Sequence, residues 1–374
     1  FSTLEAYDLE NLNRIRVIKG PKSGAYGGAL GGALLLRTDP RDAEGTTLRN
    51  RTVIGSFGLF KNHLSLTHRD SLWSAEIRYN RLNTDGYREN NAFDRDGLLV
   101  NLGYKAGKAH RLNLLANYID YTAQIPSSLS RDDFEEDPTQ AAFTWAQARG
   151  FEANKYLLAG LSDQIQLGQN LENTTSIFAT YLDHYEPRPF NILDEATFGF
   201  GFRSVLRGSV PVASRALGFE IGAELYKDQY NWGTFENLYE ENEGAGSLQG
   251  ERLSRNREFR DQLQLFTSLR WPLSESLSAT AGLALNQTAY DYRDLSGDGT
   301  ANRSAVRDFD PILLPSITLR QEGKTGNFAY LNVSRGFSNP SLEESLSPDG
   351  LVNPEIGQEK GMNYELGGRW LLLG

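Results

Sequence analysis

The stretch FRDQLQLFTSLRWPL, residues 259–273, decides the fold. Phe259, Leu263, Leu265, Leu269, Trp271 and Leu273 fall on one parity, together with Asp261 and Thr267. Arg260, Gln262, Gln264, Ser268 and Arg270 fall on the other, with Phe266 as the exception. A period of two is the signature of a strand with one apolar and one polar face. The pattern recurs. Leu277, Ala279, Ala281, Leu283 and Leu285 oppose Ser278, Thr280, Gly282, Asn286 and Thr288. Leu217, Phe219, Ile221, Ala223 and Leu225 oppose Gly218, Glu220, Gly222, Glu224 and Asp228. Leu98, Val100, Leu102 and Tyr104 oppose Leu99, Asn101, Gly103 and Lys105.

Length carries more than period. Ordinary strands average about 5–6 residues. These alternations run roughly 10–15, the length a tilted strand needs to cross a bilayer. A soluble sandwich or propeller uses shorter strands. The connections alternate as well. Short turns fall near 106–109, 168–171, 210–214, 272–276 and 322–326. Long polar loops fall near 83–95, 124–154, 185–196, 230–257, 291–309 and 336–361. Short periplasmic turns alternating with long external loops are the pattern of a transmembrane antiparallel β-barrel. About fourteen strands are expected, the first two near 51–58 and 61–69.

Composition agrees. Mean hydropathy is −0.48 and no apolar run approaches the length of a membrane helix. Barrel strands average to the same value, because half their residues face the lumen. The 19 Phe, 17 Tyr and 5 Trp could furnish two interfacial girdles. The absence of Cys excludes disulfides and thiolate metal sites. A net charge of −10 argues against nucleic acid as a partner. The four His (His63, His68, His110 and His184) are scattered, and nothing proposes a convergent nucleophile triad. The expectation is a non-enzyme with no cofactor and no metal site. The acidic run Asp132, Asp133, Glu135, Glu136, Asp137 lacks the spacing and central Gly of a Ca²⁺ loop and reads as solvated surface.

Residues 14–36, RIRVIKGPKSGAYGGALGGALLL, read as a strand, a Gly-Pro turn, a Gly-rich compact stretch and a second apolar strand. A phosphate-binding loop fails here: no Gly-Lys-Ser/Thr closes it, and no dinucleotide-type glycine pattern opens a helix. The glycines read as close backbone packing. The stretch resembles the end of the plug domain of TonB-dependent outer-membrane receptors. Arg14, Val17, Gly20, Pro21, Ser23, Tyr26, Gly27, Gly31 and Gly32 fall on that pattern, while Arg16 stands where the family has Glu. A second resemblance to the same family lies in Ser334-Arg-Gly-Phe-Ser-Asn-Pro-Ser-Leu-Glu-Glu344, Asn353-Pro-Glu355, Glu359-Lys360 and Asn363-Tyr-Glu-Leu-Gly367. A narrower one, in 125–129, 137–142 and 185–191, is similar to iron-complex receptors of the ferric-citrate type.

The resemblance implies a 22-stranded barrel around a plug. At roughly 23 residues per strand and connection such a wall needs about 500 residues, against about 325 here. The expectation is therefore an internal piece: residues 1–45 the end of the plug, and 46–374 about two-thirds of the barrel. The TonB box would lie before it. The implied function is TonB-dependent import of a ferric-siderophore or ferric-citrate-like chelate, with iron as cargo and outer-membrane lipid as surroundings. Haem, cobalamin or oligosaccharide uptake, or a passive channel, are the alternatives. No His lies between Phe337 and Asn353, where haem receptors place one; the Gly-rich stretch speaks against a passive porin.

Three sets of residues are predicted to act. Arg188, between the stiffening Pro187 and Pro189, offers a bidentate fork for an anionic chelate. Arg88 and Tyr185 are its expected companions. Family receptors pair plug cations with wall carboxylates, so Arg14 and Lys19 are expected against Glu359 and Glu365. The plug motif proper is Gly20, Pro21, Tyr26, Gly27, Gly31 and Gly32.

Overall fold

A computed structural model describes residues 7–21, 24–27, 29–38, 44–296, 303–323, 326–341, 343–345 and 351–370. Two sheets account for almost all of it. The first is a hairpin of β1 (Arg14–Lys19) and β2 (Gly32–Arg37), registered from Arg14↔Arg37 to Lys19↔Gly32. Its connection turns at Gly20 (φ 66°) and re-enters at Gly32 (φ 109°). A Cβ at Gly32 would stand 1.9 Å from the Ile18 carbonyl oxygen, so only glycine closes this hairpin. Ser23 of the motif lies outside the described residues.

The second sheet is an antiparallel up-and-down meander. It runs through β3 (Gly45–Ile54), β4 (Phe60–Arg69), β5 (Trp73–Thr84), β6 (Phe93–Ala106), β7 (His110–Gln124), β8 (Phe151–Gly168), β9 (Leu171–Arg188), β10 (Asn191–Val212), β11 (Arg215–Asn237), β12 (Gln249–Pro272) and β13 (Leu277–Asp294). It continues through β15 (Ile312–Glu322), β16 (Phe328–Ser338) and β17 (Glu359–Arg369), while the short β14 (Ala305–Asp308) pairs on β13 off the main path. Fourteen strands thus lie side by side in chain order. The sheet is open: β3 and β17 are its two ends and do not pair with one another.

The register places the faces as the alternation requires. Ile221, Leu265 and Leu283 are 52%, 42% and 47% exposed on the outer face, which Leu263 shares. Gln262, Gln264, Glu224 and Asn286 turn inward and line a cavity with residues of the β1–β2 hairpin. Phe266 also faces inward, and its reason is packing. It forms an apolar cluster with Ala25 of the hairpin connection and with Val205, Ala284, Ile312, Leu314 and Phe337 of the wall. Its ring fills the space left by Gly222, where a Cβ would stand 2.2 Å from Phe266 Cζ.

The strands are longer than the alternation predicts, up to 24 residues in β12. On β11 the outward apolar stripe runs from Leu217 to Leu225 and stops at Lys227, whose ammonium pairs with Asp261 at 2.9 Å. About nine residues at ~3.3 Å rise, tilted ~45°, span roughly 20 Å, close to the apolar band of such barrels. The remaining residues of β11 project beyond it. There both faces meet water, the alternation fades, and sequence reads as loop. The predicted loop at 185–196 is accordingly wrong: β9 and β10 meet in a tight turn at Pro189-Phe190, with Arg188↔Asn191 in register. The loop at 230–257 shrinks to 238–248, and the first strand spans 45–54 rather than 51–58. The connection 125–150 holds two short helices, α1 (Arg131–Glu136) and α2 (Phe143–Ala148). Ser130 caps α1 by accepting the Asp133 amide, and Asp132 and Asp133 fall in its first turn, where carboxylates favour the helix dipole.

Candidate ligand-transport site

A segment ahead of β1 fastens to the inner wall through acids. Asp8 caps a 3₁₀ turn (Leu9–Asn11), its Oδ1 accepting the Glu10 amide. Its other oxygen lies 2.5 Å from Arg95 Nη2 of β6, and Lys61 of β4 stands 3.8 Å from Oδ1. Glu10 pairs with Lys61 at 3.0 Å and reaches Arg51 and His63 at 3.9 and 4.0 Å. Arg78, itself paired with Glu76, donates to the Glu10 carbonyl at 2.9 Å. Asn101 donates to the Thr38 carbonyl at 3.1 Å, just after β2. Wall cations thus hold plug carboxylates and carbonyls.

The predicted pairs are different. Among the described residues no ion pair joins Arg14 or Lys19 to Glu359 or Glu365. Arg14 and Lys19 lie exposed on β1, and Glu365 accepts the Tyr330 hydroxyl. In the described ion pairs the acids, Asp8 and Glu10, belong to the segment ahead of β1 and the cations, Lys61 and Arg95, to the wall. The chemistry of Arg14 alone could not reveal this, because the cationic partners Lys61 and Arg95 sit far along the chain on the lumen parity of β4 and β6.

The Gly-rich motif packs where β16 and β17 present the second motif. Gly20 lies against the Asn363 amide, with a Cβ position 3.4 Å from it, and Leu30 lies against Gly361. Ala29 and Phe337 form a single parallel bridge. Pro21 is buried. Tyr26 and Gly27 line a cavity of about 400 Å³ with Arg203, Glu224, Gln262 and Gln264. Arg203 donates to the Ala25 carbonyl at 2.7 Å, pairs with Glu224 and lies over the rings of Tyr26 and Phe266. Gly31 precedes the hairpin's return at Gly32.

At the outer mouth the predicted ligand residues are already engaged. Arg188 donates twice to Asn191 Oδ1, at 2.9 and 2.6 Å, stands 3.6 Å from Glu186 and covers the Phe190 ring. Arg88 donates to the carbonyls of Gln140, Ser127 and Pro126, so it clamps the 125–150 connection. Tyr185 shares the outward parity of Tyr181 and packs on Phe151, away from the lumen.

What the inner face does offer is an aromatic stack. Tyr230, Trp232 and Tyr292 lie ring over ring, with centroids 4.6 and 5.7 Å apart. The Asn256 amide is 2.8 Å from the Tyr292 hydroxyl and 3.2 Å from Trp232 Nε1, fixing both rings. Tyr230 donates to Glu195, and Arg260 beside it pairs with Asp228 at 2.7 Å and Glu258 at 3.5 Å. His184 is buried beside Glu195, 4.0 Å from its carboxylate, with Nδ1 2.8 Å from Asn154 Oδ1. Reading 230–257 as loop hid these residues. Extending the β11 parity four residues past Asp228, and the β12 parity four residues ahead of Arg260, places Tyr230, Trp232 and Asn256 on the lumen face.

An antiparallel wall with a lipid-type outer face, a polar lumen and an internal hairpin pinned by ionic contacts defines a plugged barrel. The chain belongs to the TonB-dependent receptor β-barrel family, whose model matches residues 33–373. The fold is similar to that of the ferric citrate transporter FecA in its unliganded form, with a TM-score of 0.81 at 16% identity over 98% of this chain and 55% of that one. It is also similar to the siderophore receptor PiuA from Acinetobacter baumannii, with a TM-score of 0.78 at 12% identity over 97% and 60%. A third likeness is to P. aeruginosa FpvA bound to heterologous pyoverdines, with a TM-score of 0.79 at 12% identity over 97% and 51%. The chain spans between half and two-thirds of the length of these structures.

Proposed function

We propose that this chain forms part of an outer-membrane receptor that imports a ferric chelate, of siderophore or ferric-citrate type, driven by TonB. The observation that carries the reading is how the plug hairpin is held. Among the described residues its contacts to the wall are mainly ionic and polar, through Asp8, Glu10, Thr38 and the Ala25 carbonyl, with one small apolar cluster around Phe266. Polar contacts can exchange for water when the plug moves, whereas a large apolar interface would resist separation. Such a plug is built to stay shut at rest and to yield under force. TonB supplies that force from the periplasmic side in this reading. The ferric-citrate, siderophore and pyoverdine proteins of like fold support an iron chelate as cargo.

The ligand is met on the aromatic stack Tyr230–Trp232–Tyr292, with Arg188 and Arg88 shaping the loops around it. The test is iron-limited growth of a receptor-null strain complemented with the full-length receptor. Growth on at least one ferric chelate, abolished when TonB is deleted, is expected. Growth unchanged by TonB deletion would leave a passive channel, and growth on haem alone would replace the cargo.

A further inference from the structure

The outer face of β12 and β13 carries a basic site that the import reading does not use. Residues 255–259 read RNREF in a chain whose net charge is −10. Asn256 and Glu258 turn to the lumen, so Arg255, Arg257 and Phe259 turn the other way, onto the face of Leu263 and Leu265. The register that sets this parity is unbroken, from Gly233↔Arg255 to Gly218↔Arg270 against β11 and from Asn256↔Asp294 to Pro272↔Ser278 against β13. Arg257 stands directly opposite Arg293 of β13. Like charges so placed destabilise a strand pair. Arg293 is offset, pairing with Asp291 at 2.7 Å and lying 4.8 Å over the Phe259 ring. Arg257 donates Nε to Asn231 Oδ1 at 2.8 Å, which orients its fork. Its two Nη atoms, and the whole Arg255 guanidinium, have no hydrogen-bond or ionic partner among the described residues.

The neighbouring acids of this face lie lower on the wall. Asp261 pairs with Lys227 at 2.9 Å, and Asp308 of β14 stands opposite Ala289, level with Asp261. This is the long-connection end of the wall, hence the external side. The strands concerned are flanked by β10 and β15, so the patch lies inside the sheet and away from its open ends. The outward apolar stripe of β12 ends at Leu263, and Arg257 stands six residues beyond it. At ~3.3 Å rise and ~45° tilt that is about 14 Å above the apolar band. A glycerophospholipid phosphate sits at the edge of that band, below these cations. A glycolipid that carries phosphate on its sugars holds anions higher, while its acyl chains run down the same face past Phe259 to Leu263 and Leu265. Guanidinium forks match phosphate oxygens two by two.

We propose that Arg255 and Arg257 bind phosphate on the sugars of lipopolysaccharide in the external leaflet. Arg293 adds its field from the facing strand, and Phe259 with the leucines below it meets the acyl chains. The site rests on the outer-membrane setting of the barrel and is independent of which chelate it imports.

The experiment is equilibrium binding of fluorescent rough-type lipopolysaccharide to the detergent-purified full-length receptor, with no chelate and no divalent cation present. Arg255→Gln and Arg257→Gln should each weaken binding about fivefold, and the double variant about thirtyfold. Lys105→Gln, which removes a lumen-face cation at the other end of the wall, should leave binding unchanged. Heat-modifiable migration on gels confirms that each variant is folded. Dephosphorylated lipopolysaccharide should bind wild type as weakly as the intact glycolipid binds the double variant. Equal binding by wild type and the folded double variant would overturn the site. So would binding that appears only with divalent cations, which would place the contact on Asp261 and Asp291. Equally tight binding of phosphatidylglycerol, or full displacement by inorganic phosphate at matched concentration, would overturn it as well, leaving a general anion site.

Discussion

Asp8 and Arg95 meet across the gap between plug and wall, carboxylate to guanidinium at 2.5 Å, with 1% and 6% of their side chains exposed. A pair this dry resists the loss of one partner more than the loss of both. Arg95→Leu leaves the Asp8 carboxylate with Lys61, 3.8 Å away, as its cationic partner among the described residues and should destabilise plug seating by about 3–5 kcal/mol. Asp8→Asn/Arg95→Leu together should cost less than Arg95→Leu alone. Hydrogen exchange of the β1–β2 amides in the full-length receptor reads the seating directly. Equal protection in wild type and Arg95→Leu would show that the pair does not hold the plug.

The two faces of β12 give a second contrast. Leu265→Arg places a charge on the lipid face and should cost about 2–4 kcal/mol near the bilayer midplane. Gln264→Arg, one residue away, faces the lumen beside Glu224 and Asn286 and should cost far less in wall stability. Urea unfolding of the full-length receptor in lipid vesicles measures both. Similar losses at the two positions would contradict the register.

Asp137 gives the turn at Thr139, within the 125–150 connection, a pH dependence. Hydrogen bonds from the Thr139 hydroxyl and amide hold its carboxyl below the ordinary value. A depressed folded pKa contributes stability above the unfolded value and loses it as pH falls through the folded one. The Thr139 amide should therefore remain protected at the ordinary aspartate value of 3.8 and open only at lower pH. Asp137→Asn should remove that pH dependence. Protection that declines already above 3.8 would refute the assignment.

Lipid contact decides what sequence reveals here. Where a strand is half in lipid, as in 217–225 and 263–271, apolar and polar residues must alternate, and the wall was readable to the residue. The plug motif was readable because glycine at position 32 is enforced by the Ile18 carbonyl. Above the bilayer that constraint ends. Glu186, Pro187 and Arg188 read as loop, yet they continue a strand pair, up to the turn at Pro189-Phe190, whose outer face is merely wet. The plug contacts were illegible for another reason. Asp8 and Arg95 are joined by barrel curvature and by how the plug sits in it, neither of which leaves a local pattern.

The last contrast concerns the mouth. Arg188 is tied to Asn191 and Glu186, while the ring faces of Tyr230, Trp232 and Tyr292 form a continuous stack on the lumen side. Trp232 sits at the centre of that stack, so Trp232→Ala breaks both ring contacts at once. An aromatic contact of this kind contributes about 0.5–1.5 kcal/mol beyond its buried area. Trp232→Ala in the full-length receptor should therefore weaken ferric-chelate binding about tenfold. Arg188→Ala should act through its turn, lowering affinity by a smaller factor and loosening the amides near Asn191. Equilibrium binding of the chelate that supports growth, with hydrogen exchange at 186–192, separates the two. If Arg188→Ala abolishes binding while those amides stay protected, the guanidinium touches the ligand directly. In that case the aromatic stack is not the principal contact.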